Sequence, residues 1–201
     1  AGAREVLRRA PHHAEAAHIE ALALGGLSRT DEAVAAFERA AALHPNRAAV
    51  LGNLGNALTS AGRLDEAVAA YERALKFDAR FANGWSGLAG ALRRKGDAAG
   101  AVAAAEKALA IEPENVRLLN NLGVALSAAG RSAEAEDAFS HAITRQPNQA
   151  GALVNRGRLR RERGALKEAL ADLNAACAAA PNSLEAHHQR VGLVAVARVE
   201  H

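Results

Sequence analysis

Residues 48–81 read AAVLGNLGNALTSAGRLDEAVAAYERALKFDARF, and this stretch decides the fold. In its first half, apolar or small residues fall at i, i+3, i+4 and i+7, which is one face of an α-helix: Leu51, Leu54, Gly55 and Leu58. A second helical stripe consists of Ala67, Tyr71, Ala74 and Leu75. Gly62 predicts the end of the first helix, since a left-handed C-terminal cap favours glycine. Asp65 is expected to cap the second helix with its side-chain oxygen. The stretch therefore predicts a helix hairpin.

The same pattern returns every 34 residues. Prolines follow this interval at Pro11, Pro45, Pro113, Pro147 and Pro181, with one gap at Ala79. Glycines recur at the same 34-residue interval, at Gly62, Gly96, Gly130 and Gly164. A helix must end before each proline, because proline lacks an N–H and clashes with the preceding turn. Counting proline as position 32, the whole repeats are 14–47, 48–81, 82–115, 116–149 and 150–183. Residues 1–13 are the end of a preceding repeat, and 184–201 are the first helix of a sixth, so we expect one array over 1–201.

Composition supports an all-α fold and excludes several functional classes. The chain is 50% hydrophobic but only 3% aromatic, which favours helices packed through small side chains over a β-sandwich. A net charge of +3, with both signs interleaved, does not predict nucleic-acid binding. No apolar run reaches the roughly 18–20 residues of a membrane span, and no signal peptide is recognisable within the given residues. The sequence contains no methionine, not even at its start, so we expect a fragment or a processed form of a longer protein. The expected compartment is the cytoplasm.

These 34-residue helix pairs resemble the tetratricopeptide repeat (TPR) family, bacterial type, over essentially the whole chain. The small residue of the first helix is Gly55, Gly123 or Gly157, and Ala21 or Ala89 elsewhere. The aromatic residue of the second helix is Phe37, Tyr71 or Phe139, replaced by Ala105 and Leu173 in two repeats. The first repeat departs from the family pattern at Ala17, Glu20 and Ser28. The resemblance implies a right-handed superhelical solenoid that binds protein or peptide ligands and is not an enzyme.

In this family, positions 2, 6, 9 and 13 of each first helix line a concave groove. Here these positions and their neighbours are rich in asparagine: Asn53, Asn56, Asn83, Asn120, Asn121 and Asn155. Position 6 repeats as Asn53, Asn121 and Asn155, interrupted by Gly87. A carboxamide offers donors and an acceptor together, so it suits a peptide backbone, and the series is similar to the asparagine ladder of O-linked sugar transferases. The alternative is that these asparagines link neighbouring helices or are solvated.

Toward the C-terminal end of the chain, three arginines lie at or beside these groove positions: Arg117, Arg158 and Arg161. They would suit carboxylates of an acidic peptide or a chain terminus through bidentate contacts. Ordinary solvated helix surface is an equally acceptable interpretation.

Other candidate sites do not fit a specific chemistry. The pairs His12–His13 and His187–His188 are adjacent residues, whereas metal ligands on one helix need spacing of three or four, so we expect no metal and no cofactor. Cys177 is predicted to be a small buried residue. Gly84, Gly87 and Gly90 lie within a helix and do not form a phosphate-binding loop. They indicate either a flexible joint or a close approach by a ligand.

The leading hypothesis is a protein–protein interaction scaffold that binds an extended segment in its groove. The alternative is the substrate-recruiting TPR arm of a larger glycosyltransferase or sulfotransferase. RNA binding is less well supported, because the groove lacks aromatic residues for base stacking. Open repeat ends also allow self-association, through the C-terminal residues Val191, Val194 and Val199.

Overall fold

The computed structural model describes residues 14–26 and 29–199, and this part of the chain is entirely helical outside its turns. It contains eleven α-helices: α1 Ala14–Gly26, α2 Thr30–Leu43, α3 Ala48–Ser60, α4 Leu64–Phe77, α5 Ala82–Lys95, α6 Ala98–Ile111, α7 Val116–Ala128, α8 Ser132–Arg145, α9 Ala150–Glu162, α10 Leu166–Ala179 and α11 Leu184–Val199. The predicted partial repeat 1–13 lies outside the described residues, as do His12–His13, Ser28 and His201. Of Val194 and Val199, only the helical backbone is described.

Consecutive helices pair into hairpins, and each odd-numbered helix up to α9 packs most extensively against the helix that follows it. The chain divides into two compact units, 1–111 and 112–201. In the first unit, the hairpins α1–α2, α3–α4 and α5–α6 stack in chain order. In the second unit, α7–α8, α9–α10 and the single helix α11 do the same. The predicted all-α fold of stacked helix hairpins is confirmed within each unit.

Glycines and prolines set the ends of the helices. Gly62 has a φ of 77°, the left-handed conformation that only glycine adopts without strain, and Gly96, Gly130 and Gly164 have φ values of 93°, 74° and 78°. The predicted glycine caps are therefore confirmed. Second helices end two residues before Pro45, Pro113, Pro147 and Pro181. Helix α4 ends at the equivalent Phe77 although Ala79 replaces proline.

The predicted N-cap at Asp65 is wrong. Helix α4 begins at Leu64, and its N-cap is Arg63, which makes no side-chain cap bond. Arg63 instead donates from Nε and Nη2 to the two carboxylate oxygens of Glu66, at 2.7 and 2.6 Å. This hydrogen bond, followed by the attraction of the Arg63 charge, lowers the pKa of Glu66. Asp65 lies two residues beyond the N-cap position, within the first turn of the helix.

Small residues on the first helices allow large ones on the second helices to pack closely. A Cβ at Gly55 would lie 2.7 Å from the ring of Tyr71, and one at Gly123 would lie 2.5 Å from the ring of Phe139. Both rings are almost fully buried, at 2% and 0% exposure. The glycine and the ring therefore fit each other, which holds the two helices of each hairpin in contact.

Candidate functional site

In the first unit, a cavity of about 240 Å³ lies between hairpin α1–α2 and helix α3. We call it the α1–α3 pocket. Its lining consists of Leu22, Gly25, Thr30, Ala33, Phe37, Asn53, Asn56, Ala57 and Ser60. None of these lining residues carries a charge. Two predicted site residues, Asn53 and Asn56, line the pocket together with an apolar wall that includes Leu22 and Phe37. Pockets of this kind, apolar with a few convergent polar groups, are the usual form of ligand sites.

The two asparagines lie one helical turn apart on α3 and differ in their contacts. Asn53 is half-buried and Asn56 is exposed. The Tyr71 hydroxyl donates a hydrogen bond to Oδ1 of Asn56 at 2.7 Å. This bond uses one of the two lone pairs of the Asn56 carboxamide oxygen, so the oxygen can still accept and the NH2 group can still donate. Burial raises the pKa of Tyr71 above its ordinary value, so the phenol stays protonated and remains the donor at neutral pH.

Gly87 interrupts the asparagine series for a structural reason. A Cβ at Gly87 would lie 2.4 Å from Cε1 and 2.6 Å from Cζ of Tyr71. The space that an asparagine side chain would need at position 6 is therefore occupied by the tyrosine ring. Gly84 is crowded in the same way by Phe81, at 2.5 Å, whereas a Cβ at Gly90 would meet nothing within 4 Å. Two of the three glycines thus accommodate the protein's own aromatic side chains, a reason that differs from both alternatives predicted from the sequence.

In the second unit, one predicted pair of site residues is joined directly. Nδ2 of Asn155 on α9 donates to Oδ1 of Asn120 on α7 at 3.0 Å. This contact is of the kind that the alternative interpretation predicted, since it links neighbouring first helices. Each carboxamide still has hydrogen-bonding groups beyond this one bond. Asn121 is half-buried on α7, next to Asn120. Asn83, in the first unit, is exposed near the start of α5 and is not among the residues that line the α1–α3 pocket.

The predicted arginines lie in three different settings. Arg117 is exposed in the first turn of α7. Arg158 is half-buried on α9, and its Nη1 lies 3.6 Å from a carboxylate oxygen of Glu162 one turn away. Arg161 is half-buried and faces α11, where a Cβ at Gly192 would lie 3.8 Å from its Nη1. The basic character of α9 is therefore partly neutralised by its own Glu162.

A partly buried ionic cluster in the second unit was not predicted from the sequence. Arg156 on α9 donates from Nε and Nη2 to both oxygens of Asp172 on α10, at 2.9 and 2.6 Å, and from Nη1 to Oγ of Ser140 at 3.0 Å. Arg160 donates to Asp172 at 3.0 Å and to Glu136 on α8 at 2.7 Å. The hydrogen bond from Arg160, opposed by burial, lowers the pKa of Glu136. The signal was present in the sequence, because these charges replace residues that are mostly apolar in the other repeats.

Neither metal binding nor nucleophilic chemistry gains support from the described residues. Across 14–26 and 29–199, no group of three or more His, Cys, Asp or Glu side chains could hold a metal ion. The Cys177 thiol is buried at 7% exposure and is not part of a disulfide, as predicted. His187 contacts the carbonyl oxygen of Pro181 through Nε2 at 2.8 Å. In the same part of the chain, no helix is both long enough and apolar enough to cross a bilayer.

Comparison with known proteins agrees with this architecture. Two family models, both described as "Tetratricopeptide repeat", match residues 18–83 and 92–157. No curated protein matches the sequence significantly. Among solved structures, the chain is similar to TTC0263, a thermophilic TPR protein of Thermus thermophilus, with 21% identity, a TM-score of 0.78, and coverage of 90% of this chain and 98% of that one.

Two further solved structures share the fold. YrrB, described as a TPR protein with an unusual peptide-binding site, is 20% identical with a TM-score of 0.65, covering 94% of this chain and 97% of YrrB. The pilF protein of Pseudomonas aeruginosa is 18% identical with a TM-score of 0.76, covering 98% of this chain and 87% of pilF. TPR folds serve in general as protein–protein interaction scaffolds, and proteins of this kind are typically not enzymes. With paired helices, glycine–aromatic packing and two matching family models, the chain belongs to the tetratricopeptide repeat family.

Proposed function

We propose that this chain binds an extended peptide segment of another protein, and that asparagine carboxamides of its first helices contact the peptide backbone. The observation that carries the proposal is the α1–α3 pocket, where Asn53 and Asn56 meet an apolar wall. An extended peptide presents N–H and C=O groups along its backbone, and a carboxamide can bond to both. The peptide's side chains alternate in direction, so one of them would enter the pocket while the backbone follows the carboxamides.

The lining of the pocket selects the kind of side chain that enters it. No charged residue lines the pocket, and Leu22, Ala33, Phe37 and Ala57 make its surface largely apolar. An ionised side chain would lose its hydration there without gaining an opposite charge, which is costly. The pocket therefore suits an uncharged apolar residue of the peptide.

The second unit offers a different surface on α7 and α9. Asn121 and Asn155 supply carboxamides, and Arg117, Arg158 and Arg161 supply positive charge. The two units would therefore prefer different ligand groups, apolar in the first and acidic in the second. YrrB, which shares the fold, is described as having a peptide-binding site, which is consistent with peptide binding by a protein of this architecture.

Binding without catalysis is part of the proposal. The carboxamides and apolar groups of the α1–α3 pocket do not transfer protons near neutral pH, so they hold a ligand without chemically activating it. A substrate-recruiting arm of a larger glycosyltransferase or sulfotransferase would use the same surface, and none of the described residues favours that role over a free-standing scaffold.

The first test is a selection of unstructured peptides from a displayed random library, followed by measurement of Kd by calorimetry. Replacing Asn53, Asn121 and Asn155 together by alanine should weaken binding at least tenfold. Each lost hydrogen bond is worth about 0.5–1.5 kcal/mol, and about 1.4 kcal/mol is a factor of ten. A matched control replaces three exposed asparagines outside the proposed surfaces, Asn148, Asn174 and Asn182, and should leave Kd unchanged. Equal affinity of the site variant and the wild type, both folded by circular dichroism, would exclude the proposed surface.

A second test addresses the pocket alone. Ala57→Leu places three extra carbon atoms in the pocket and should weaken peptides that carry an apolar anchor residue. Ala69→Leu, exposed on α4, adds the same atoms elsewhere and should have no effect. Binding that is indifferent to both substitutions would show that no ligand side chain occupies the pocket.

A further inference from the structure

Four charged residues of the second unit depart from the repeat at positions that are otherwise mostly apolar. We call Glu136, Arg156, Arg160 and Asp172 the ionic quartet. Arg156 stands at position 7, where three other repeats have Leu54, Leu88 and Leu122. Arg160 stands at position 11, where the others have Leu24, Leu58, Leu92 and Leu126. Glu136 stands at position 21, where the others have Val34, Val68, Val102 and Leu170. Asp172 stands at position 23, where the others have Ala36, Ala70, Ala104 and Ala138.

The quartet pairs its charges across three helices. Two arginines on α9 face one carboxylate on α8 and one on α10, and Arg163, just after the end of α9, also donates to Glu136 at 2.5 Å. The side chains of Asp172 and Arg156 are 5% and 15% exposed, and those of Arg160 and Glu136 are 22% and 23% exposed. The bidentate bond between Arg156 and Asp172 fixes the distance and the orientation of the two helices together.

An interior ionic cluster of this kind is a poor source of stability. Removing charged groups from water costs several kcal/mol per ion, and well-packed apolar residues often serve as well or better. The other hairpins show that apolar residues fit these positions in this fold. Some property other than stability should therefore account for the four linked departures.

The property that the quartet provides is discrimination between helices that otherwise look alike. All five hairpins present similar faces rich in alanine, leucine and valine. If the second helix of another hairpin took the place of α8 beside α9, Arg160 would meet valine or leucine at position 21. If the second helix of another hairpin took the place of α10, Arg156 would meet alanine at position 23. A wrong helix in place of α10 would leave Arg156 without a carboxylate, and a wrong helix in place of α8 would leave Arg160 with Asp172 alone; both changes are unfavourable for partly buried charges.

We propose that the ionic quartet is a registry device, which specifies that α9 packs between α8 and α10 and opposes its exchange with another hairpin of the same chain or of a second copy. The device acts by penalising wrong pairings more than by strengthening the correct one. It is independent of whether the chain binds a peptide.

The test compares one disrupted quartet with one fully replaced by the repeat's own apolar residues. Asp172→Ala leaves both arginines without their shared carboxylate and should lower the urea midpoint of unfolding. The quadruple variant Glu136→Val, Arg156→Leu, Arg160→Leu and Asp172→Ala should recover a midpoint equal to or above that of the wild type. After refolding at high protein concentration, however, it should give at least a fivefold larger dimer fraction by light scattering. It should also show more than one set of amide resonances for α9.

The control is Ser140→Ala, which removes a neutral contact to Arg156 and leaves the quartet in place. It should refold to the same single species as the wild type. If the quadruple variant refolds to one monomeric species with one set of resonances, the registry role is refuted. A quadruple midpoint below that of Asp172→Ala alone would also refute it, because the quartet would then be a source of stability.

Discussion

Gly87 and Gly90 provide a matched pair of substitutions on helix α5. Both are partly buried glycines in the interior of the same helix, three residues apart. A Cβ at Gly87 would lie 2.4, 2.6 and 2.8 Å from Cε1, Cζ and the hydroxyl oxygen of Tyr71, whereas a Cβ at Gly90 meets nothing within 4 Å. The Tyr71 ring is 2% exposed and bonded to Asn56, so it has little room to move away. The two alanine substitutions should therefore differ in their effect on stability.

The magnitudes follow from two competing terms. Alanine is favoured over glycine in a helix interior by roughly 1 kcal/mol, and this gain applies to both positions. Overpacking a well-filled site costs typically about 1–3 kcal/mol, and this cost applies only at Gly87. Gly90→Ala should therefore stabilise the protein by up to about 1 kcal/mol. Gly87→Ala should be less stable than Gly90→Ala by about 1–3 kcal/mol, which is the overpacking term alone.

Urea unfolding followed by circular dichroism measures the free energy of unfolding of both variants. The slope of this free energy against urea concentration should be the same in both, which shows that they unfold in the same way. Tyr71→Leu supplies a check on the cause, because leucine is the natural residue at the equivalent Leu173. In the Gly87→Ala background, Tyr71→Leu should cost less than it does in the wild type, since the clash is relieved. Equal stability of the two alanine variants would refute the proposed packing of Tyr71 against Gly87.

Three further predictions concern single positions. Ala79→Pro should stabilise the protein by about 0.4–1 kcal/mol in urea unfolding, because the equivalent site holds proline in four other repeats and Asp78 before it is already extended; a loss of stability would contradict the repeat alignment. Glu136→Gln should cost about 1.5 kcal/mol near neutral pH. The folded-state pKa of Glu136 is lowered, so this stabilisation is present above the unfolded pKa of about 4.3 and is lost as pH falls through the folded value; a cost that persists unchanged at pH 2 would be inconsistent with this origin. Of the three valines predicted to mediate self-association, Val191 is the one whose side chain is described, and it is 62% exposed on α11. Val191→Asp should reduce any dimer seen by sedimentation, and an unchanged dimer would place the contact elsewhere.

The fold was predictable because its determinants repeat. A 34-residue interval of glycine and proline marks the helix ends, and the glycine–aromatic pairs follow the family pattern. The N-cap of α4 was not predictable from residue type alone. Asp65 is a good capping residue, but the helix already begins at Leu64, and Arg63 at the N-cap position makes no side-chain cap bond.

The site was predictable only in part, because its remaining features depend on departures from the repeat and on contacts between helices. The asparagines were predictable because they recur at the repeat interval, whereas Glu136 and Asp172 were not, because they differ from the repeat. The bond from Asn155 to Asn120 joins residues 35 apart in sequence, so it depends on how two first helices pack. The apolar wall of the α1–α3 pocket was overlooked because Leu22 and Phe37 look like ordinary core residues in the sequence.

The most direct test of peptide-backbone recognition is a double-mutant cycle between Asn53 and a selected peptide. One arm replaces Asn53 by alanine, and the other methylates, one at a time, the backbone nitrogens of the peptide that flank its apolar anchor residue. If the carboxamide bonds to the peptide backbone, one methylated position should show a coupling free energy of about 1 kcal/mol with Asn53, the value of a typical hydrogen bond. Strictly additive losses at every position, with affinity governed by peptide side chains alone, would contradict the account.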